Sequence, residues 1–215
     1  DGKQLTGEQL SNALQKRAPA YDKDREEHYN LISALHKSVR GSDPDAALYW
    51  LARMITGGED PLYLARRIVR MASEDIGLAD PTSLMIAAEA ARTYERLGSP
   101  EGELALAHAV VHLATAPKSN AVYVAWKSAQ RSAKETGSLM PPKHILNAPT
   151  AFMKEEGYGK GYNYDHDAEE GFSGQNYFPD GMKREAFYQP KGEGREGAIA
   201  ERLKKWAELR RQKGS

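Results

Sequence analysis

His108 and His112 stand four residues apart in a stretch that reads as helix, so both rings could face one divalent metal. Ala109, however, occupies the place where a zinc protease carries its glutamate, and the chain offers no third ligand at matching spacing. Buried or rim histidines are the expectation, and no metal site is assigned. Tyr164-Asp165-His166-Asp167 could pair a base with carboxylates, but general-base chemistry needs a pocket around its substrate, and a glycine-rich stretch does not visibly supply one. A turn or an oligomer contact is the safer reading. Gly192-Glu193-Gly194-Arg195-Glu196-Gly197 spells the G-x-G-x-x-G of dinucleotide sites. Phe187 to Lys191 makes a poor buried strand before it, and too little chain follows for a second strand with a ribose-binding acid. No cofactor is assigned there.

The chain carries no G-x-x-x-x-G-K-[ST] loop and no G-x-S-x-G elbow, so neither autonomous ATP hydrolysis of the phosphate-loop type nor a serine nucleophile can be argued. Cysteine is absent, which removes disulfides, thiolate nucleophiles and cysteine-based metal centres together. No catalytic residue is assigned, and this chain by itself is not read as an enzyme.

One surface chemistry survives. Arg66, Arg67 and Arg70 crowd one helix; Lys127 and Arg131 share a stripe with Lys134 on another; Lys118 precedes that helix; and Lys160, Lys183 and Arg184 alternate with aromatic rings near the C-terminus. Cations pair with phosphates and rings stack on bases, which is the composition of a single-strand platform. The competing reading, which the sequence favours, makes the rings anchors for a long arm and leaves the charges solvated.

The elements that would position these residues are helices. Ser42-Asp43-Pro44, Asp60-Pro61, Asp80-Pro81 and Ser99-Pro100 are repeated start signals, and Gly41, Gly57-Gly58 and Gly137 are stops, Gly41 in a left-handed conformation. The expected faces are Leu31, Leu35 and Val39; Leu48, Leu51, Met54 and Ile55; Leu64, Ile68 and Met71; Leu84, Ala88, Ala91 and Tyr94; Leu104, Ala107, Val111 and Ala114; and Val122, Val124, Trp126 and Ala129. Thr6 and Gln9 form a plausible capping box ahead of them. Short turns imply antiparallel neighbours in layers. From Gly157 to Gly197 the chain is rich in Gly, Tyr and Phe and poor in Leu, Ile and Val. Such a stretch builds no core of its own and must drape over helices or stay mobile. A short basic helix, Ile199 to Gln212, closes the chain.

The fold class is therefore all-α, a layered antiparallel bundle with a long irregular aromatic and glycine-rich arm and a terminal helix. With 215 residues the chain can bury a real core. Its 30 Lys and Arg balance 30 Asp and Glu, so bulk charge provides no grip on nucleic acid or anionic membrane. No apolar run approaches the ~20 residues of a membrane span. The opening Asp1-Gly2-Lys3-Gln4 has no initiator Met and no basic-then-apolar leader, which suggests a piece of something longer.

Leu31-Ile32-Ser33-Ala34-Leu35-His36-Lys37-Ser38-Val39-Arg40-Gly41-Ser42, followed by Asp43 to Trp50, resembles a known family. Asp60-Pro61-Leu62-Tyr63, Ala72-Ser73-Glu74-Asp75-Ile76-Gly77, Ala116-Pro117-Lys118-Ser119-Asn120-Ala121-Val122-Tyr123, Asn147-Ala148-Pro149-Thr150, Gly157-Tyr158-Gly159 and Tyr177-Phe178-Pro179 match in order. The likeness is to the C-terminal region of the replication-associated recombination protein A family, AAA+ ATPases that include yeast Mgs and human Werner-helicase-interacting protein. The resemblance implies that residues 1–25 end the helical lid. Residues 26–140 would form an oligomerisation domain similar to a clamp-loader collar, and 141–215 an arm and terminal helix packed on it. It further implies a homotetramer, an upstream domain that binds ATP and magnesium, and action on DNA at stalled forks. Association with single-stranded DNA-binding protein and a cytoplasmic, nucleoid-associated location follow from the same likeness. None of the family's catalytic residues falls on this sequence.

Overall fold

The computed structural model describes residues 25–213, with side chains from residue 28. The expected lid tail and the Thr6/Gln9 capping box lie outside the described residues. The rest is helical: α1 (Arg25–Arg40), α2 (Pro44–Thr56), α3 (Pro61–Met71), α4 (Thr82–Leu97), α5 (Glu103–Thr115), α6 (Ala121–Thr136), the single-turn α7 (Ala151–Glu155) and α8 (Glu196–Gln212). No strand occurs among the described residues. None of their helices is long and apolar enough to cross a membrane. The chain divides into two compact units, up to Asn120 and from Ala121 onward. The change in composition near residue 140 therefore lies inside the second unit.

The Asp-Pro pairs start helices as the sequence indicates. Asp43 Oδ1 accepts from Ala46 N–H at 2.9 Å, Asp60 Oδ1 from Leu62 N–H at 2.9 Å, and Asp80 Oδ1 from Thr82 N–H at 3.1 Å. Each bond satisfies one otherwise orphaned donor of a first turn, and truncating such a cap costs ~1 kcal/mol. Proline in the first turn of α2 and α3 loses no bond, because its missing N–H would have had no partner there. The end of α1 corrects one expectation: Ser42, not Gly41, is left-handed, with φ of 59°. Gly41 is needed for closeness instead, since a Cβ there would lie 3.0 Å from the Lys37 carbonyl.

In the first unit, Leu35, Val39, Met54, Leu64, Ile68 and Leu113 are buried completely. Burying each such side chain contributes ~1.5–3 kcal/mol. Helix α5 packs on α1, α2, α3 and α4, and so must be apolar almost all round. Periodicity alone therefore finds only part of the buried face, Ala114 with half-buried Ala107 and Val111. The buried positions are Leu106, Ala109, Val110, Leu113 and Ala114, whereas Leu104 is 76% exposed. Helix α4 likewise buries Ser83, Ala87 and Ala90 in place of the Leu84 side, because small residues let it approach α5 closely. Gly102, buried at the start of α5, has no room for a side chain: a Cβ would meet the Gly98 carbonyl at 2.7 Å and Tyr94 Cα at 2.9 Å.

In the second unit α6 buries Ala121, Ala125 and Ser132 and leaves Val122, Val124 and Trp126 exposed, the reverse of the expected face. The aromatic and glycine-rich stretch is tied to helices of its own unit. Ser132 Oγ donates to Glu185 Oε1, the Phe172 ring stacks on Trp206 with centroids 6.0 Å apart, and Lys213 Nζ donates to the Phe172 carbonyl at 2.9 Å.

Candidate functional site

The two histidines of α5 do not converge. His108 is exposed, while His112 Nε2 lies 3.0 Å from Asp80 Oδ2 and 3.1 Å from Ser83 Oγ. Among the described residues no three His, Asp or Glu side chains form a metal-binding group. Ser83, Asp80 and His112 have the composition of a catalytic triad without its wiring. One nitrogen of His112 touches both partners, leaving no relay through the ring, and Ser83 is 0% exposed. Burial disfavours the Asp80 charge, but bonds from Thr82, Ser83 and His112 outweigh it and hold the carboxyl below its ordinary range. The group fastens α4 to α5.

Asp75 forms the other buried polar centre. A π-helical turn, Ala72–Ile76, follows α3 and leaves Asp75 4% exposed. Its Oδ2 meets His36 Nε2 at 2.5 Å, its Oδ1 stands 3.7 Å from the Arg40 guanidinium, and its backbone carbonyl accepts the Ser119 N–H at 2.8 Å. Beside it Lys118 Nζ donates to the carbonyls of buried Ala114 and Ala116 at the C-terminus of α5, where a cation is favoured. Burial pulls the Lys118 pKa down and the Asp75 charge partly restores it. Three of the stretches that carried the family resemblance, around His36, Asp75 and Lys118, thus meet in space.

The glycine-rich loop leads into α8 through a buried acid. Glu196, 0% exposed, accepts from the Tyr188 hydroxyl at 3.0 Å and from the Lys191 N–H at 2.8 Å. Its carboxylate thus ties the start of α8 to the segment that precedes the loop. Burial, then Glu196, pushes the Tyr188 hydroxyl up to about 12. In the Tyr164 to Asp167 stretch, Asp165 is hydrogen-bonded by Ser173 and Tyr177, whose bonds hold its pKa low, and His166 adds only a smaller charge effect in the same direction.

The nucleic-acid candidates fall in both units. In the first, Arg66 is exposed, 3.7 Å from Asp60; Arg67 is half-buried; Arg70 is held by Glu74 at 2.6 Å; and Lys118 is occupied by carbonyls. In the second, Lys127 lies 4.4 Å from the Tyr123 ring centroid and Arg184 5.4 Å from that of Phe178. Arg131, Lys160 and Lys183 are exposed.

Sequence periodicity does not reveal the apolar groove between α2 and α5, lined by Leu48, Leu51, Ile55, Pro100, Leu104 and Ala107, with a volume of about 390 Å³. Its signal is the excess of apolar residues on α5 over what one face can bury.

Comparison with known proteins matches residues 41–207 to the C-terminal region of MgsA-type AAA+ ATPases and residues 1–40 to an AAA C-terminal domain. Replication-associated recombination protein A of Coxiella burnetii is 55% identical over 193 residues, 89% of this chain and 44% of that protein. Its Escherichia coli K12 counterpart is 50% identical over 200 residues, 93% and 45% of the two chains. A Dictyostelium discoideum protein described as ATPase WRNIP1 is 44% identical over 189 residues, 87% and 22%. The chain spans less than half the length of these relatives, and the MgsA-type match over residues 41–207 takes in α2 to α7, Asp75 and the aromatic stretch. The chain belongs to the family defined by the MgsA AAA+ ATPase C-terminal region.

Proposed function

We propose that this chain is the self-association region of an AAA+ ATPase that acts in replication-associated recombination, and that it assembles a homotetramer. The observation that carries the reading is Leu104, 76% exposed on the rim of an apolar groove. Soluble monomers seldom leave a large aliphatic side chain so open beside further apolar surface. The groove is mostly apolar, with Glu103 and Thr56 on its wall, and a second copy offers the same apolar rim, which favours the chain itself as the partner. Trp126, 62% exposed on α6, gives the second unit an apolar face of its own. In this reading residues 26–140 supply the assembly surface. ATP and magnesium belong to an upstream domain, and DNA and single-stranded DNA-binding protein are partners of the whole protein in the cytoplasm at the nucleoid. Light scattering across a concentration series tests it: a mass near four times 23.8 kDa is expected. A monomer persisting at tens of micromolar overturns it.

A second reading is favoured by one observation, the exposure of Arg131, Lys160 and Lys183 in a unit rich in aromatic rings. On that reading the chain also touches single-stranded DNA. Binding that weakens steeply with salt supports it, and no binding at low salt removes it.

A further inference from the structure

The second unit contains a cavity of about 500 Å³ whose walls include His144, Asn147, Ala148, Gly159, Tyr162 and Tyr177. That volume lies within the ~300–1,000 Å³ range of small-ligand sites. Its walls are held in place by bonds that a merely draped segment would not need. The Gly159 N–H donates to the Lys143 carbonyl at 2.9 Å, closing one side. Gln175 brackets Tyr162 from both directions, its Nε2 donating to the Gly161 carbonyl at 2.7 Å and its Oε1 accepting the Asn163 N–H at 2.9 Å. Tyr177 is clamped by its hydroxyl on Asp165 Oδ2 at 2.7 Å, while Asp165 Oδ1 holds the Ser173 N–H at 2.8 Å.

The ligand chemistry follows from what lines this opening. Tyr162 and Tyr177 are 48% and 43% exposed, and the Tyr177 ring lies 6.4 Å from that of His144, so the wall presents aromatic surface for stacking. Asn147 is exposed and offers an amide donor and acceptor, the pair that reads the edge of a base. His144 Nε2 is buried without a hydrogen-bond partner, so the wall keeps unmet polar capacity. No carboxylate is among the lining residues, Asp165 being taken up by the Tyr177 hydroxyl, and exposed Lys160 is the next residue in the chain after the wall residue Gly159, which brings a cation beside the opening. We propose that this cavity takes one unstacked nucleobase of a single-stranded nucleic acid, stacked on Tyr162 and Tyr177, with its edge at Asn147 and its phosphate near Lys160. The site rests on the reading that the chain touches single-stranded DNA and is independent of self-association.

Fluorescence anisotropy of the whole chain with a labelled oligothymidylate, and with an abasic strand of equal length and charge, separates base from phosphate. The unsubstituted chain should prefer the oligothymidylate. Tyr162→Ala should weaken that binding about tenfold, the size of one lost base stack, and leave the abasic strand unaffected. Asn147→Ala should change the ranking of thymidine, cytidine and adenosine strands by a few-fold without altering the thermal midpoint. Equal affinity for abasic and base-bearing strands, or equal weakening of both by Tyr162→Ala, overturns the proposal, as does absence of binding at low salt. A monomer in light scattering that still binds in the expected pattern removes the tetramer and leaves this site standing.

Discussion

Asp75 and His36, 39 residues apart in the chain, meet through a 2.5 Å contact in the interior of the first unit. A carboxylate at that depth is stable only with a partner, because desolvation penalises an isolated buried charge heavily. His36→Ala removes the nearest partner and leaves the Arg40 guanidinium, 3.7 Å away and half in water, and the nearby Lys118 charge as weaker substitutes. The expected loss is about 3–5 kcal/mol, read as a lower urea midpoint at unchanged slope. A change below about 1 kcal/mol would show that water reaches Asp75.

Leu104 gives the opposite expectation for stability. Its side chain is open, so Leu104→Lys should leave the thermal midpoint of the monomeric unit within the small range of ordinary surface changes, about 0.5 kcal/mol. Self-association should fall at least tenfold in light scattering if a second copy covers the groove. Unchanged mass would move the interface elsewhere.

The helix starts were legible because Asp-Pro pairs act locally: Asp43, Asp60 and Asp80 each reach only two or three residues along the chain. The faces of α4, α5 and α6 were not, since all three carry more apolar or small residues than one side needs. Packing on four neighbours, not periodicity, selects Leu106 over Leu104. The π-helical turn at Ala72–Ile76 leaves no compositional trace, so Asp75 read as one acid among many. Its partners His36 and Ser119 come from distant stretches that only the fold brings together. Among the cations, sequence could place Arg66, Arg67 and Arg70 on one helix but could not show that Glu74 holds Arg70 or that carbonyls hold Lys118.

Those two environments separate the cations by experiment. Lys183→Ala should lower affinity for single-stranded DNA and reduce the salt slope by about 0.7 for each phosphate it no longer neutralises, with no effect on unfolding. Lys118→Ala should do the reverse, uncapping α5 and costing about 1–2 kcal/mol of stability while leaving the salt slope alone. If Lys118→Ala shifts the slope as Lys183→Ala does, Lys118 leaves its carbonyls to meet DNA.

Tyr188 predicts an alkaline signature. Its hydroxyl is held neutral up to about 12, above the value near 10 of an unfolded tyrosine, so the stability it contributes is complete below pH 10. That contribution is lost as pH rises from about 10 to about 12. Tyr63 and Tyr177 are also raised, so difference absorbance at 295 nm should show late-titrating tyrosines in the native chain, of which the component near 12 disappears in Tyr188→Phe. The substitution should also cost about 1.5–3 kcal/mol at neutral pH, the range for a hydrogen bond to a charged group.

Gly102 and Leu104 are two residues apart, and their freedoms are opposite. At Gly102 even a methyl group would strike the backbone of both Gly98 and Tyr94; at Leu104 the side chain meets mostly water. Descendants of this sequence are thus bound to one choice at the first position and nearly unrestricted at the second. The joint that sets the angle of α5 is inherited unchanged, while the rim beside it can be rewritten one substitution at a time, so partner preference can drift in evolution without the fold being put at risk.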